Sequence, residues 1–110
     1  MGNGLIGFFV DDFEGVHRVF LGLVGRSGEC ATKIPKEIRY CSVSRKHAEI
    51  SFVDGEVFIR DFDSKFGTFI QGKKVLGNFV PLKDGYEVRL GEVNFRFNYS
   101  QNRDAEELGV

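Results

Sequence analysis

The stretch SRKHAEISF, residues 44–52, joins a polar cluster to the beginning of a β-strand. In its second half Ala48, Ile50 and Phe52 alternate with polar residues, which is the period of a strand with one buried face. In its first half a hydroxyl, two cations and an imidazole stand side by side, and a hydrophobic core rarely contains such groups. The stretch therefore predicts a strand whose entrance is built from residues with no packing role.

The same alternation recurs along the chain and is interrupted by residues typical of turns. In chain order we predict an apolar central strand from Val19 to Val24, a strand from Ala48 to Phe52, the turn Asp54-Gly55, strands from Val57 to Phe62 and from Gly67 to Ile70, the turns Gln71-Gly72 and Asp84-Gly85, a strand from Tyr86 to Leu90, the loop Gly91-Glu92 and a strand from Val93 to Tyr99. Short strands at this spacing indicate an all-β sandwich. One window only, RDAEEL at 103–108, is helix-like.

Length and charge limit the classes of function. A chain of 110 residues with 42% hydrophobic residues fits one domain with a core of its own. We place that domain at residues 1–99 and interpret residues 100–110, with one arginine against three acids, as an acidic tail or linker without structure. The net charge of −1 gives no broad basic field, so no direct nucleic-acid binding is expected. No apolar run is long enough to span a membrane, and we expect a monomer.

Cysteine and histidine usage argues against a metal centre. Cys30 and Cys41 lie in no metal-ligand pattern, and His17 and His47 are the only histidines. We favour two buried thiols in a reducing compartment, with a disulfide as the alternative. The expected location is therefore intracellular, nuclear or cytoplasmic, and no cofactor is expected.

Three segments hold polar residues that packing does not explain. They are Gly25-Arg26, the segment from Ser44 to His47, and the segment from Asp63 to Thr68. If these segments meet at one end of the sandwich, they surround one point with guanidinium, ammonium and hydroxyl groups. Such a cluster suits a dianionic phosphate, because arginine offers a planar fork of donors and serine a directed hydrogen bond.

These segments also carry a family resemblance. The order GR, SRKH, SKFGT and LKDGYEVRLG resembles a forkhead-associated (FHA) domain over about residues 20–99. The resemblance implies a sandwich of about eleven strands in two twisted, mainly antiparallel sheets, with loops at one end that bind phosphothreonine in an extended peptide. It implies that Arg26 and Ser44 are the principal phosphate contacts. Arg45 and Lys65 would contact the phosphate or neighbouring peptide residues.

The resemblance also implies bracing roles. Gly25, His47 and Thr68 would hold the loops together, and Gly67 would permit a tight turn. The partners would be phosphothreonine-containing proteins, and the chain would be an adaptor rather than an enzyme. A nucleophile and base made of Ser44 and His47 is the distant alternative, because it would need a third orienting group and an oxyanion site.

Two features depart from the usual motif. Phe66 stands where the family usually has an asparagine that holds the peptide backbone, and Gln71 stands where Asn often precedes the glycine. We expect Phe66 to be an exposed wall of the peptide site rather than a core residue. The segment SKFGTFI is similar to the version in nibrin-like FHA domains, which suggests the DNA-damage response. Seventeen residues separate Arg26 from Ser44, so the intervening loop is expected to reshape the rim of the site.

Two alternatives stay open. An FHA-like domain that binds partners without phosphate dependence is the main rival, because Phe66 cannot supply the missing hydrogen bond. Arg26 taken alone is also compatible with an ordinary surface cation at a strand end. Lys73, Lys74 and Arg39 are interpreted as solvated charges.

Overall fold

The chain forms an all-β structure, seen in a computed structural model that describes residues 4–100. Its eleven strands are β1 (Leu5–Asp11), β2 (Val16–Phe20), β3 (Gly22–Gly25), β4 (Thr32–Lys33), β5 (Ala48–Val53), β6 (Glu56–Asp61), β7 (Thr68–Ile70), β8 (Lys73–Val75), β9 (Val80–Pro81), β10 (Glu87–Leu90) and β11 (Val93–Tyr99). A 3₁₀ turn, Ile38–Tyr40, follows β4. The helix-like window at 103–108 lies outside the described residues, as does nearly all of the predicted tail.

The strands form two sheets that pack face to face. The six-stranded sheet has the order β2-β1-β11-β10-β7-β8, and the five-stranded sheet has the order β4-β3-β5-β6-β9. Every pair is antiparallel except β3 with β4, which is parallel. The predicted sandwich of two mainly antiparallel sheets is thereby confirmed. Within residues 4–100 no helix is long and apolar enough to cross a membrane.

The core lies between the sheets and follows the period-2 pattern of the strands. In β11, Val93, Phe95 and Phe97 are buried while the residues between them are exposed. Phe9 of β1 packs against two of these rings, with centroids 5.4 Å and 5.9 Å away. Alternating strands therefore place their apolar faces inward and leave polar faces in solvent.

Two of the predicted turns adopt the geometry that their sequences favour. Asp54-Gly55 has φ values of 54° and 82°, and Gln71-Gly72 has values of 53° and 82°. Positive φ at both central residues fits a two-residue hairpin turn, whose twist matches that of the flanking strands. These turns set the register of β5 with β6 and of β7 with β8.

The predicted central strand from Val19 to Val24 is wrong as a single element. It is divided into β2, an edge strand of the six-stranded sheet, and β3, which lies inside the five-stranded sheet. The chain bends at Leu21, which is 45% exposed, and Gly22 has a φ of 113°. Few residues other than glycine adopt that conformation, so Gly22 lets the chain pass from one sheet to the other.

The prediction of two buried thiols is half correct. Both cysteines are free, but Cys41 is exposed and only Cys30 is buried. The Cys30 thiol donates a hydrogen bond to the Arg45 carbonyl oxygen at 3.2 Å. Burial raises the pKa of this thiol, with weaker opposing effects from the Ser27 backbone and nearby lysines. Cys30 therefore stays protonated and acts as a small core residue under the second polar segment.

Candidate functional site

The three polar segments meet at Ser44. The backbone amide of Arg26 donates to the Ser44 carbonyl oxygen at 3.2 Å, and the backbone amide of Ser27 donates to the Arg45 carbonyl oxygen at 2.9 Å. From the other side, the amide of Lys65 donates to the Ser44 hydroxyl oxygen at 3.0 Å. The Ser44 hydroxyl keeps its own proton free to donate to a ligand.

Gly25 is required where the first two segments touch. A Cβ atom at this position would lie 2.1 Å from the Arg45 carbonyl oxygen and 2.8 Å from that of Ser44. Both are backbone atoms, which cannot rotate away as a flexible side chain can. Glycine therefore permits the close approach that places Arg26 beside Ser44.

The Arg26 side chain is half-buried and held in place. Its Nε donates to the Val43 carbonyl oxygen at 2.5 Å. Among the interactions within residues 4–100, neither terminal guanidinium nitrogen has a hydrogen-bond or ion-pair partner. Anchoring through Nε lowers the entropy that the side chain loses when those nitrogens bind an anion, so Arg26 is more than a loose surface cation.

His47 ties the second segment to the third. Its ring is fully buried, its Nδ1 accepts a hydrogen bond from the Ser44 amide at 2.9 Å, and its Nε2 contacts the Gly67 carbonyl oxygen at 2.8 Å. An acceptor Nδ1 and a donor Nε2 define the neutral ring with the proton on Nε2. Burial lowers the pKa of His47, against smaller opposing effects of Gly67 and Asp61. The ring therefore stays neutral at physiological pH.

The third segment is organised by Asp61, a residue that the sequence analysis missed. Its carboxylate accepts hydrogen bonds from the Ser64 amide at 3.0 Å, from the Ser64 hydroxyl at 2.5 Å and from the Thr68 hydroxyl at 2.7 Å. Burial alone would raise the pKa of Asp61, but these hydrogen bonds outweigh it and hold the pKa below its usual value. The available signal was an aspartate three residues before a serine, a spacing typical of side-chain-capped turns.

Gly67 completes the turn of the third segment. Its amide donates to the Ser64 hydroxyl oxygen at 2.9 Å, and its φ is 93°. That conformation is strained for any residue with a Cβ. The turn thus carries its hydrogen bonds to Asp61 on one side and to His47 on the other, and it presents Lys65 and Phe66 outward.

The long loop before Ser44 is anchored to the end of β1 through Tyr40. The Tyr40 hydroxyl donates to the buried Asp11 carboxylate at 2.6 Å, and the same oxygen lies 2.7 Å from His17 Nε2. Burial and the Asp11 carboxylate together raise the pKa of Tyr40 to about 12. The phenol therefore remains a donor, and it fixes the segment that ends at Val43.

Three cations in the segments around Ser44 form no salt bridge within residues 4–100, although Glu29 lies close enough to interact electrostatically with Arg45. Arg26, Arg45 and Lys65 form no ion pair among the described residues, whereas Lys46 pairs with Glu29 at 3.1 Å. Uncompensated positive charge beside a hydroxyl donor attracts an anion. The structure thus gathers Arg26, Ser44 and the third segment, while the Arg45 side chain extends into solvent.

Phe66 is exposed rather than part of the core. Half of its surface is accessible, and the Lys65 ammonium lies 5.3 Å from its ring centroid. Two other aromatic residues are exposed: Phe62 directly follows β6, and Phe79 directly precedes β9. Arg60 stacks between them, at 5.9 Å and 4.9 Å from their ring centroids.

The Ser44–His47 pair is not arranged for catalysis. His47 Nδ1 contacts the Ser44 amide rather than its hydroxyl, and Nε2 is occupied by Gly67. A general base must reach the proton that it removes. In the part of the chain that the structure describes, no group of histidine, cysteine and acidic side chains could hold a metal ion.

Comparisons with known proteins identify the same family. The FHA domain model matches residues 22–91. The vacuolar protein sorting-associated protein 64 of Saccharomyces cerevisiae is 38% identical over 72 residues, which cover 62% of this chain and 12% of that protein. The chain therefore spans about an eighth of the length of that curated relative.

Solved structures share the fold. The N-terminal FHA domain of S. cerevisiae Rad53p, solved with a phosphothreonine peptide, has a TM-score of 0.73 at 16% identity, covering 92% of this chain and 98% of that one. The FHA domain of an Arabidopsis thaliana hypothetical protein has a TM-score of 0.68 at 25% identity, covering 92% and 93%.

Proposed function

The chain belongs to the FHA domain family, and we propose that it is a phosphothreonine-dependent peptide-binding module that recruits phosphorylated partners in intracellular signalling. The observation that carries this proposal is the Ser44 hydroxyl together with the free terminal nitrogens of Arg26 on the adjoining loop, flanked by the exposed cations Arg45 and Lys65. A phosphorylated side chain carries about −1.5 to −2 charges near pH 7 and three acceptor oxygens. Its charge and acceptors match the free donors of this site.

Each contact has an assigned role in the proposal. The Arg26 terminal nitrogens and the Ser44 hydroxyl bind the phosphate, since both are held by the backbone of neighbouring loops. Arg45 and Lys65 extend into solvent and contact the phosphate or the peptide beside it. Phe66 forms an apolar wall of the peptide groove, in place of a backbone-binding amide.

An adaptor accounts for this arrangement better than an enzyme does. His47 uses both ring nitrogens to hold the loops, so it has no free position with which to accept a proton from Ser44. Charge-assisted hydrogen bonds to a phosphate require no proton transfer. The proposed activity is therefore binding alone.

A second candidate function is partner binding without phosphate dependence. It is favoured by four exposed apolar side chains, Phe62, Phe66, Leu76 and Phe79. Exposed apolar clusters often mark protein–protein contacts. In this alternative, removing the phosphate from a partner leaves its affinity unchanged.

The proposed setting is an intracellular one, nuclear or cytoplasmic. Two free thiols support a reducing compartment. The likeness of SKFGTFI to the nibrin-like segment supports a role in the DNA-damage response.

The test is a paired screen of degenerate peptide libraries against the purified chain. One library fixes a phosphothreonine at the centre and the other a threonine, with the same flanking positions. We expect enrichment from the phosphorylated library only. Equal enrichment from both libraries would favour the phosphate-independent alternative, and Arg26→Ala serves as the matched control for the site.

A further inference from the structure

A row of three side chains crosses the outer face of the six-stranded sheet. The register pairs Arg89 of β10 with Phe69 of β7, and Phe69 with Lys74 of β8. Directly paired residues in neighbouring strands share one face of a sheet. Since Val88 and Leu90 of β10 are buried, Arg89 and its two partners lie on the outer face. We call Arg89, Phe69 and Lys74 the outer row.

Both cations of the outer row lack an acidic partner among the described residues. The Arg89 guanidinium lies over the Phe69 ring at 4.0 Å, which positions it without neutralising it. Glu87, the acid two residues before Arg89 on the same face, pairs with Arg96 at 3.3 Å. The outer row therefore carries two cations that form no ion pair within residues 4–100, arranged on either side of an aromatic ring.

The outer row begins beside the turn of the third segment. A Cβ atom on Gly67 would lie 3.1 Å from the Phe69 ring and 3.4 Å from Cε of Lys74. Gly67 in turn belongs to the segment whose Lys65 amide contacts Ser44. A peptide seated at Ser44 can therefore continue over the turn onto the outer row.

We propose that the outer row binds acidic side chains of the same peptide, a few residues away from the phosphothreonine. The inference rests on the proposed function and deepens it by naming the class of flanking sequence. Neighbouring strands lie about 4.8 Å apart, so the row is roughly 10 Å long. An extended peptide advances about 3.3 Å per residue. The row accordingly accommodates about three residues of the peptide.

An acidic peptide fits the outer row better than a nucleic acid does. Bases bind sheet surfaces by stacking on open aromatic faces. The Phe69 ring carries Arg89 on one face and Lys74 beside it, so it offers no open platform. The chain as a whole has a net charge of −1, which gives no wider basic field for a phosphate backbone.

The experiment compares phosphothreonine peptides that differ only in charge. One peptide carries glutamates two to five positions from the phosphothreonine, on either side in separate versions, and its partner carries glutamines there. Exposed ion pairs each change an affinity by a factor of about 1.4 to 5. Two of them should make the acidic peptide about 2- to 25-fold tighter for the native chain in one of the versions, and high salt should reduce that gain.

Lys74→Ala should reduce this gain to that of one ion pair, about 1.4- to 5-fold, and leave the affinity for the glutamine peptide unchanged. Lys73→Ala is the matched control, because Lys73 is paired with the buried Ile70 and lies on the opposite face of the same strand. It removes the same charge, yet it should keep the full gain. Arg89→Gln should reproduce the effect of Lys74→Ala.

The inference would be overturned by equal affinities for the acidic and neutral peptides in the native chain, or by equal losses in the Lys73 and Lys74 variants. Binding of a single-stranded oligonucleotide that depends on Lys74, with no gain from acidic flanks, would assign the row to nucleic acid instead. If the native chain binds neither phosphothreonine peptide, the proposed function itself fails, so the two failures are distinguishable.

Discussion

Replacing His47 by alanine should loosen the binding site and destabilise the fold together. The substitution removes the acceptor of the Ser44 amide and the partner of the Gly67 carbonyl oxygen, which are 2.9 Å and 2.8 Å from the ring. A buried polar group left unpaired costs about 1–3 kcal/mol, and an ordinary hydrogen bond contributes about 1 kcal/mol. We therefore expect the free energy of unfolding to fall by at least about 2 kcal/mol, since the cavity adds to this cost.

The same residue should make the stability of the native chain depend on pH. Burial lowers the pKa of His47 in the folded state, whereas an unfolded histidine titrates near about 6.5. Above that pH both states are neutral at this residue and stability is independent of its titration. As the pH falls below about 6.5, His47 becomes protonated in the unfolded state but stays neutral in the folded state. The free energy of unfolding therefore decreases by up to about 1.4 kcal/mol per pH unit, until the pH reaches the pKa of His47 in the folded state.

Two carboxylates, one buried and one half-buried, contribute in a separate pH range. Asp11 and Asp61 have folded pKa values below their usual one, because hydrogen bonds to each carboxylate outweigh the effect of burial. Their contribution to stability is complete above about pH 4 and is lost as the pH falls through the folded values. Measurements between pH 5 and 7 therefore avoid the titration of these two carboxylates.

Urea denaturation at several pH values between 5 and 7 measures both effects. The native chain should lose stability below about pH 6.5, and the His47→Ala chain should lose this dependence. His17→Ala is the control, because it removes the other histidine of the sequence and should leave the His47 slope in place. A slope that survives in His47→Ala would show that this ring is not the neutral brace described above.

Three further predictions concern binding. Arg26→Ala should remove most affinity for a phosphothreonine peptide, since a charge-assisted contact is worth about 1.5–3 kcal/mol. The substitution should also lower the melting temperature, because the hydrogen bond to the Val43 carbonyl oxygen is lost. Calorimetric titration measures the affinity, with the exposed Arg18→Ala as the control. Unchanged affinity in Arg26→Ala would remove Arg26 from the site. Phe66→Asn should leave the melting temperature nearly unchanged, because the ring is half-exposed. Weaker peptide binding in the same titration would show that the ring contacts the peptide. Tighter binding would contradict that role. A phosphothreonine peptide should bind more tightly than the same peptide with phosphoserine, by about 0.8 kcal/mol for one buried methyl group and up to about 3 kcal/mol in a shaped pocket. Competition between the two peptides measures this difference. Equal affinities would mean that the site has no pocket for the methyl group.

The fold could be predicted wherever one face of a strand is buried. The alternation of β5 and β11 and the turn Asp54-Gly55 all carry local signals, because side chains in a strand alternate between solvent and core. The break between β2 and β3 at Gly22 has no local signal in the sequence, because the residues on both sides of it are apolar and continue the same pattern. β1, Leu5–Asp11, was missed because its apolar residues do not alternate strictly with polar ones.

The site could be predicted as a set of residue types but not as a geometry. The motif order brought Arg26, Ser44 and His47 to attention, and the structure supplies the contacts that join their loops. Asp61 escaped notice because a carboxylate at a strand end is common. The bond between Tyr40 and Asp11 joins residues 29 positions apart, and no local pattern encodes such a distance.

The most direct measurement of the central claim is an amide chemical-shift titration with one peptide in its phosphothreonine and threonine forms. We predict that the phosphorylated peptide shifts the amides of Ser44, Lys65 and Gly67 and saturates, while the threonine form leaves them in place. Matching shifts from both forms, or shifts concentrated at Phe62 and Phe79 with these loops unmoved, would contradict phosphate recognition at this site.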